Sequence, residues 1–215
     1  MTVERGSDEP RTEGRGADRP ARCAGLLLTG GRSRRLGTDK ATLRLDGESL
    51  AHRGARLLGE VAAPVLEVGP GFSDLDAVLE HPPGTGPLAG VVAGAAALGV
   101  RGAAHLPALV VAVDLPRIHR AVLELLVSNE SPGVDAVVPR VAGRAQPLCA
   151  RYSARALAVA GDTYAAGARS MREWLDALTV RWLDERDWAG VADAGVFEDV
   201  DTPADVRRVG LEAPG

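Results

Sequence analysis

Short apolar segments alternate with amphipathic segments along the chain from residue 23 onward. The apolar segments are too short for helices and are rich in Leu, Val and Ala, so they predict strands at 24–28, 64–68, 77–79, 108–113, 136–138 and 149–152. Apolar residues at helical spacing predict helices at 49–61, 91–98, 118–127, 154–160 and 169–178. Regular alternation of strands and helices indicates an α/β fold with a mostly parallel sheet and right-handed crossovers.

The first 22 residues carry no such pattern. Arg alternates there with Asp and Glu around Gly and Pro, without the apolar stretch of a signal peptide. We therefore expect residues 1–22 to be a disordered leader and residues 23–212 to form one domain. A chain of 215 residues is long enough for one such domain with a full hydrophobic core.

Composition and charge exclude several classes of protein. A formal net charge of −4 disfavours a general nucleic-acid binder, which needs a basic face. Cys23 and Cys149 have no His or Cys at ligand spacing, which indicates reduced thiols in a cytoplasmic protein and neither a disulfide framework nor a zinc site. No apolar run approaches the roughly 20 residues of a membrane span, so no membrane partner is expected.

A glycine-rich, basic loop follows the first predicted strand. It contains Gly30, Gly31, Arg32, Arg34, Arg35, Gly37 and Lys40. Glycines allow positive φ and close approach of the backbone to a ligand, so main-chain N–H groups can face an anion. Together with four cations in nine residues, this pattern indicates a polyphosphate ligand.

The spacing in this loop differs from two familiar phosphate-binding loops. Walker A requires Lys directly after its last Gly, whereas two residues separate Gly37 from Lys40. The dinucleotide fingerprint G-x-G-x-x-G is also absent, because Gly30 and Gly31 are adjacent. The alternative is a solvated basic turn, although exposed charge alone does not explain the glycines around it.

A second loop, 81–90, is dense in Gly and Pro and precedes a helix of small residues. Glycines at a helix start allow close approach of a planar base or ribose, and the free N–H groups suit an anion or a carbonyl. The alternative is a tight connection before a closely packed Ala/Gly helix.

Acidic residues follow the most apolar predicted strand and occur again near the end of the chain. Asp114 comes directly after the strand 108–113, at the edge where α/β proteins bind ligands, and its carboxylate could hold Mg²⁺ against phosphates. It could instead cap a helix that starts near Pro116. Asp199 and Asp201 would lie on the same side of an extended chain, before a helix capped by Thr202.

The segment Gly-Gly-Arg-Ser-Arg-Arg-Leu-Gly-Thr-Asp-Lys at 30–40 resembles the signature of the molybdenum cofactor guanylyltransferases, with Leu36 in place of the usual Met. The segment Gly-Pro-Leu-Ala-Gly at 86–90 resembles a second motif of the same family, which helps to hold the guanine nucleotide. The resemblance implies a single three-layer α/β/α Rossmann-like nucleotidyltransferase domain. It also implies transfer of GMP from GTP to the molybdenum–molybdopterin cofactor with release of pyrophosphate, Mg²⁺ as the cofactor, and molybdoenzymes or other cofactor-biosynthesis proteins as partners.

The resemblance assigns residue roles as well. The implied nucleotide-binding residues are Leu28, Thr29, Gly30, Gly31, Arg34, Lys40, Gly86, Pro87, Leu88, Ala89 and Gly90. The implied catalytic residues are Lys40, Arg35 and Asp114, and the metal ligands are Asp114 and Asp201. The implied substrate-binding residues are Arg144, Gln146, Arg169 and Ser170. Each polar residue could instead be an ordinary surface or turn residue.

One segment departs from the family pattern. Where members commonly carry Asn-x-Asn-Thr-Pro, this chain has Asp199 and Asp201 before Thr-Pro, as cytidylyl and sugar-nucleotide relatives often do. A cytidylyltransferase for the same cofactor and a sugar-nucleotide pyrophosphorylase are therefore alternatives. A catalytically silent nucleotide-binding protein that assists cofactor insertion is a further alternative, against which Lys40 and Asp114 both count.

Overall fold

The computed structural model describes residues 23–30 and 36–214. The strands are β1 (Ala24–Leu28), β2 (Arg44–Leu45), β3 (Glu48–Ser49), β4 (Val65–Val68), β5 (Ala77–Val78), β6 (Ala108–Ala112), β7 (Ala136–Val141), β8 (Arg144–Ala145), β9 (Cys149–Tyr152) and β10 (Val180–Leu183). The α-helices are α1 (Leu50–Gly59), α2 (Pro87–Val100), α3 (Arg120–Ser128), α4 (Ala154–Ala165), α5 (Met171–Leu175), α6 (Glu185–Trp188) and α7 (Pro203–Val209). Short 3₁₀ helices cover Lys40–Thr42 and Ala194–Phe197.

One eight-stranded sheet forms the centre of the domain, with β8 paired beside β7 and the other strands in the order β10-β7-β9-β6-β1-β4-β5. β1 is parallel to both β4 and β6, and β10 is parallel to β7. β9 is antiparallel to both of its neighbours, β6 and β7. The prediction of a mostly parallel sheet is confirmed.

Alternate residues of each buried strand face two separate hydrophobic cores. In β1, Leu27 points to the core covered by α1 and α3, and Leu26 points to the core covered by α2 and α4. Helical glycines let both layers pack closely, since a Cβ at Gly54 would lie 2.6 Å from Leu27 and one at Gly94 would lie 2.8 Å from Leu26. The three-layer α/β/α prediction is confirmed.

Several boundaries differ from the prediction. α2 begins at Pro87, four residues before the predicted start at 91, because Gly86 adopts φ 102° as the N-cap and Pro at the first position suits a helix start. The helix predicted from 118 begins at Arg120, and the one predicted at 169–178 covers only Met171–Leu175. Thr202 caps α7, as predicted.

Strand pairings that the apolar pattern did not predict are those of β10, of β8 and of the β2–β3 hairpin. β10 lies at an edge of the sheet and exposes Arg181 and Trp182, so it lacks the apolar pattern of the central strands. β2 and β3 form a tight hairpin across Asp46 and Gly47, where no strand was predicted. None of the helices in residues 23–30 and 36–214 is both long and apolar enough to cross a membrane.

Candidate active site

Most of the predicted site residues meet at one edge of the sheet. β1 and β6 are parallel and end side by side there, and the main chain continues this pairing from Val113 N to Leu28 O at 3.0 Å. β9 runs the opposite way, so its beginning lies at the same edge, where Ala112 N donates to Leu148 O at 2.8 Å. The carboxyl edge of a parallel sheet is the usual ligand-binding edge of α/β proteins.

Lys40, Asp114 and Asp201 form a cluster at this edge. The ammonium Nζ of Lys40 donates to Asp114 Oδ2 at 2.9 Å and to Asp201 Oδ1 at 2.5 Å. The two partners lie 74 and 161 residues from Lys40 in the sequence. The acidic segments are also joined by the main chain, because Val200 N donates to Asp114 O at 3.0 Å.

Local structure fixes each member of the cluster. Lys40 opens the 3₁₀ turn Lys40–Thr42, which is anchored by the buried side chain of Ala41. Asp114 lies two residues beyond β6, and Asp201 directly precedes Thr202, the N-cap of α7. The capping box between Thr202 and Asp205 holds the start of that helix. The cap of α7 is therefore Thr202, so Asp201 remains available to the cluster.

The cluster keeps Lys40 charged. Burial acts to lower the pKa of Lys40, but the Asp114 carboxylate and the hydrogen bonds that Lys40 donates to both aspartates outweigh it and raise the pKa above 10.5. A lysine in this state is an ammonium ion throughout the neutral pH range. It can neutralise phosphate charge but cannot act as a general base.

The two carboxylates of this cluster are suitable ligands for Mg²⁺. Mg²⁺ is commonly held by one or two carboxylates together with phosphate oxygens and water. Asp114 Oδ1 and Asp201 Oδ2 make no hydrogen bond to any residue in the described ranges. No group of three or more His, Cys, Asp or Glu side chains suited to a metal occurs in those ranges. The donor set thus fits a metal that shares its ligands with a bound nucleotide.

The start of the first glycine loop is tied down by β4. Thr29 N and Gly30 N both donate to Val68 O, at 3.0 and 3.2 Å, and the Thr29 hydroxyl donates to Glu67 Oε1 at 2.6 Å. The Gly30 N–H therefore already has a main-chain acceptor, and the assignment of Gly30 to the nucleotide stays a prediction. Predictions for Gly31, Arg34 and Arg35 lie outside the described residues.

A groove of about 730 Å³ opens beside the start of α2. We call it the Gly86 groove, and its lining residues are Gly84, Thr85, Gly86, Pro87, Pro147, Leu148, Arg169, Ser170, Met171 and Glu173. It brings together two segments that the sequence analysis assigned separately to nucleotide and to substrate. The approach is close, because a Cβ added at Gly86 would lie 3.0 Å from Arg169 O.

The second glycine motif divides between the groove and the core. Gly86 and Pro87 line the groove, whereas Leu88, Ala89 and Gly90 are buried in the first turn of α2. Leu88 is fully buried in the core beneath that helix. Residues 88–90 therefore correspond to the alternative of a closely packed helix start. Within this motif, only residues 86 and 87 expose surface to a ligand.

The predicted substrate residues in the Gly86 groove are already engaged in local contacts. Ser170 caps α5, and both its N–H and its hydroxyl donate to Glu173 Oε2, at 2.9 and 2.7 Å. These hydrogen bonds lower the pKa of Glu173 to about 2. Arg169 stacks on the ring of Tyr164 at 4.2 Å and donates through Nη1 to Tyr164 O at 2.8 Å. This part of the groove wall therefore consists of Arg169, which stacks on Tyr164, and of the Glu173 carboxylate.

The remaining predicted residues lie on exposed loops. Arg144 begins β8, in the hairpin with β7, and Gln146 follows it immediately before the groove residue Pro147. Gln146 N donates to Pro139 O at 2.8 Å, which closes the hairpin. Asp199 makes no side-chain hydrogen bond with any described residue, so the structure does not place it with Asp201 in the cluster.

Sequence reasoning missed three residues that shape this edge: Glu67, Tyr164 and Glu173. Glu67 did carry a signal, since it is an acidic residue inside an apolar strand and is followed by Gly-Pro-Gly. Glu173 carried a signal as well, since Ser170 and Glu173 have the S-x-x-E spacing of a capping box. Tyr164 carried none, because its hydroxyl contacts Thr85, which lies 79 residues away in the sequence.

Comparison with known proteins agrees with this geometry. Residues 25–183 match the family described as MobA-like NTP transferase domain. A protein named "Probable molybdenum cofactor guanylyltransferase" from Opitutus terrae is 42% identical over 161 residues, covering 72% of this chain and 78% of that protein. One of the same name from Chloroflexus aggregans is 39% identical over 173 residues, covering 75% and 79%.

A solved structure shows the same fold. The crystal structure of molybdopterin-guanine dinucleotide biosynthesis protein A from Archaeoglobus fulgidus matches with a TM-score of 0.68 and 25% identity, covering 86% of this chain and 96% of that one. The family resemblance and the Rossmann-like fold expected from the sequence are both confirmed. The chain belongs to the MobA-like NTP transferase domain family and is a nucleotidyltransferase.

Proposed function

We propose that this protein transfers GMP from GTP to the molybdenum–molybdopterin cofactor, forming the guanine dinucleotide cofactor and releasing pyrophosphate. The observation that carries the proposal is the Lys40–Asp114–Asp201 cluster at the carboxyl edge of β1 and β6. The relatives named molybdenum cofactor guanylyltransferase, at 42% and 39% identity, support guanine as the base and the molybdenum cofactor as the acceptor.

The reaction needs no protein nucleophile. A terminal phosphate oxygen of the acceptor attacks the α-phosphorus of GTP, a new P–O bond forms, and the bond from the α-phosphorus to the α–β bridging oxygen breaks. Pyrophosphate leaves with that oxygen. Such a displacement depends on alignment and on neutralisation of phosphate charge. The cluster provides a fixed cation and two carboxylates and offers no nucleophile of its own.

In this proposal Lys40 contacts the transferring phosphate. Its ammonium is held at 2.9 Å from Asp114 Oδ2, so it is positioned before the nucleotide binds. A preorganised cation of this kind stabilises charge that develops in the transition state without reorganising. Arg34 and Arg35 would contact the β- and γ-phosphates, and the main chain at Leu28, Thr29, Gly30 and Gly31 would border the nucleotide.

Asp114 and Asp201 would hold Mg²⁺, the divalent metal we propose for a family that generally depends on one. When bound, Mg²⁺ neutralises phosphate charge and orients the leaving group. Each carboxylate accepts from Lys40 through one oxygen and leaves its second oxygen without a hydrogen bond to a described residue, so the ammonium and a metal can share them. Asp114 is the less exposed of the two, with 25% of its side chain accessible against 51% for Asp201, which suits the principal ligand.

The Gly86 groove would take one of the two flat heterocycles. Gly86 and Pro87 line it beside Arg169 and Ser170, while Arg144 and Gln146 lie in the neighbouring hairpin. A glycine without a Cβ allows a planar ring to approach the main chain closely. Because Ser170 is committed to the helix cap, we expect contacts in the groove to come from Arg169 and the main chain.

The test is release of pyrophosphate by the purified protein with Mg²⁺, molybdopterin-bound molybdenum and each of GTP, CTP, ATP and UTP. We expect release with GTP that requires both the metal and the acceptor. Asp114→Asn serves as the matched control, because it keeps the side-chain size and removes the charge. Turnover with CTP alone would establish the cytidylyl alternative, and nucleotide binding without release in any mixture would refute the enzymatic proposal.

A further inference from the structure

The carboxylate of Glu67 is completely buried, although it lies on β4 close to the ligand edge of the sheet. It accepts five hydrogen bonds, from Thr29 Oγ1, Gly71 N, Phe72 N, Ser73 N and Ser73 Oγ. Their lengths run from 2.6 to 3.0 Å. A buried carboxylate is stable only when its oxygens are satisfied in this way.

Four of these bonds come from one turn. The consecutive N–H groups of Gly71, Phe72 and Ser73 converge on Glu67, as such groups converge on a bound anion in other proteins. The anion site formed by this turn is therefore filled by the protein itself. The turn does not offer those N–H groups to a nucleotide phosphate.

The fifth bond leaves the turn and reaches the nucleotide loop. Thr29 is the residue between β1 and Gly30, and its hydroxyl proton is committed to Glu67 at 2.6 Å. Gly69 makes room for this contact, since a Cβ there would lie 2.1 Å from Thr29 Oγ1 and 2.8 Å from Gly30 N. Residue 69 must therefore be glycine for the loop to begin at this point.

We propose that Glu67 is a positioning residue for nucleotide binding, acting through Thr29 on the start of the 30–40 loop. The inference rests on the proposed function, because it requires that this loop borders the nucleotide. Glu67 itself touches no substrate. It fixes the direction in which the chain leaves β1, and Thr29 contributes to binding by holding its backbone in place and donates no hydrogen bond to phosphate.

The chain offers a matched pair of substitutions. Thr29→Val and Ser73→Ala each remove one hydroxyl donor from the same carboxylate, and both bonds are 2.6 Å long. Only the first reaches the nucleotide loop. Thr29→Ser keeps the hydroxyl and serves as the conservative rescue.

Three quantities are measured for wild type and all three variants: the melting temperature without nucleotide, the Kd for GTP with Mg²⁺, and kcat and KM in the pyrophosphate assay. We expect Thr29→Val and Ser73→Ala to lower the melting temperature similarly. We expect only Thr29→Val to raise the Kd and KM for GTP, by about 3- to 10-fold, the range that one hydrogen bond supplies, with little change in kcat. Thr29→Ser should restore wild-type values.

Equal Kd and KM values for Thr29→Val and Ser73→Ala would overturn the inference and leave Glu67 a purely structural residue. A failure of the proposed function looks different. In that case wild type binds GTP but releases no pyrophosphate, and the Kd comparison still decides the role of Glu67. Wild type that binds no nucleotide at all would overturn both.

Discussion

Replacing Lys40 with Met tests the central electrostatic argument, because Met keeps the length of the side chain and removes only its charge. The Lys40–Asp114–Asp201 cluster carries one positive and two negative charges, a sum of −1. Lys40→Met changes that sum to −2. The substituted site would therefore repel a triphosphate where the native site presents an ammonium ion to it.

The structure allows the size of this effect to be bounded. At 2.9 Å and an effective dielectric constant of about 20, one unit-charge contact is worth about 6 kcal/mol before solvent screening. Lys40 is only 17% exposed, so screening is incomplete, whereas Asp201 is 51% exposed and its pairing contributes about 1 kcal/mol or less. A phosphate in the place of Asp114 would gain about half of the unscreened value, or ~3 kcal/mol, which is ~10²-fold in rate.

The assay is Mg²⁺-dependent pyrophosphate release by Lys40→Met, with kcat/KM expected to fall at least ~10²-fold. Arg120→Met is the matched control. It also removes one positive charge, the guanidinium of Arg120, which forms an exposed ion pair with Glu124 at 2.7 Å, away from the cluster. Since the pKa of Lys40 is raised above its usual value, wild-type activity should show no loss from its deprotonation across the neutral and mildly alkaline pH range. A folded Lys40→Met protein with activity within ~3-fold of wild type would refute the reasoning.

Three further outcomes are expected. Asp201→Asn should raise the Mg²⁺ concentration for half-maximal activity by about 10-fold, while kcat at saturating metal changes less. A metal titration measures both quantities, and an unchanged titration would show that Asp201 is not a metal ligand. Burial acts to raise the pKa of Glu67, but hydrogen bonds from Ser73, Thr29 and Phe72 lower it below 4.5, so its contribution to stability is present above pH 4.5 and is lost as the pH falls through the lower folded value. Denaturant titrations should show Glu67→Gln less stable than wild type at pH 7 and less sensitive to acid, and equal acid sensitivity would contradict the assignment. Gly86→Val should weaken nucleotide or acceptor binding at least ~5-fold, because a side chain at φ 102° is strained and the Cβ of the valine would crowd Arg169 O. Gly133→Val is the control for strain alone, since Gly133 has φ 77° and open space around it on a distant turn.

The predicted helices and strands are correct where the local sequence pattern agrees with the packing of the folded chain. The helix predicted at 49–61 is α1, and Ser49 at its start is the N-cap, whose side chain accepts from His52 N. The strand predicted at 108–113 is β6 within one residue, because an uninterrupted apolar run of that length is buried on both faces. The hairpin of β2 and β3 was missed even though Asp46-Gly47, with φ 52° and 80°, is the dipeptide that favours such turns.

The candidate site was predictable in its residues but not in its contacts. The position of Asp114 after a central strand indicated the correct edge of the sheet, and Lys40 came from a loop motif. Their pairing with Asp201 depends on chain segments that only tertiary structure brings together. Ser170 is a different case, because its capping box with Glu173 is a local contact whose S-x-x-E spacing is already visible in the sequence.

The reversed direction of β9 brings a second set of segments to the ligand edge of the sheet. β1 and β6 are parallel and lead into residues that we propose to handle phosphate, while β9 is antiparallel to β6 and brings the β7–β8 hairpin to the same edge. The hairpin tip at Ala142 and Gly143 is exposed and already adopts positive φ, at 48° and 78°. If Arg144 and Gln146 contact the acceptor as proposed, insertions at this exposed tip should change acceptor selectivity more than nucleotide binding, and the tip is then a site for engineering a new acceptor preference.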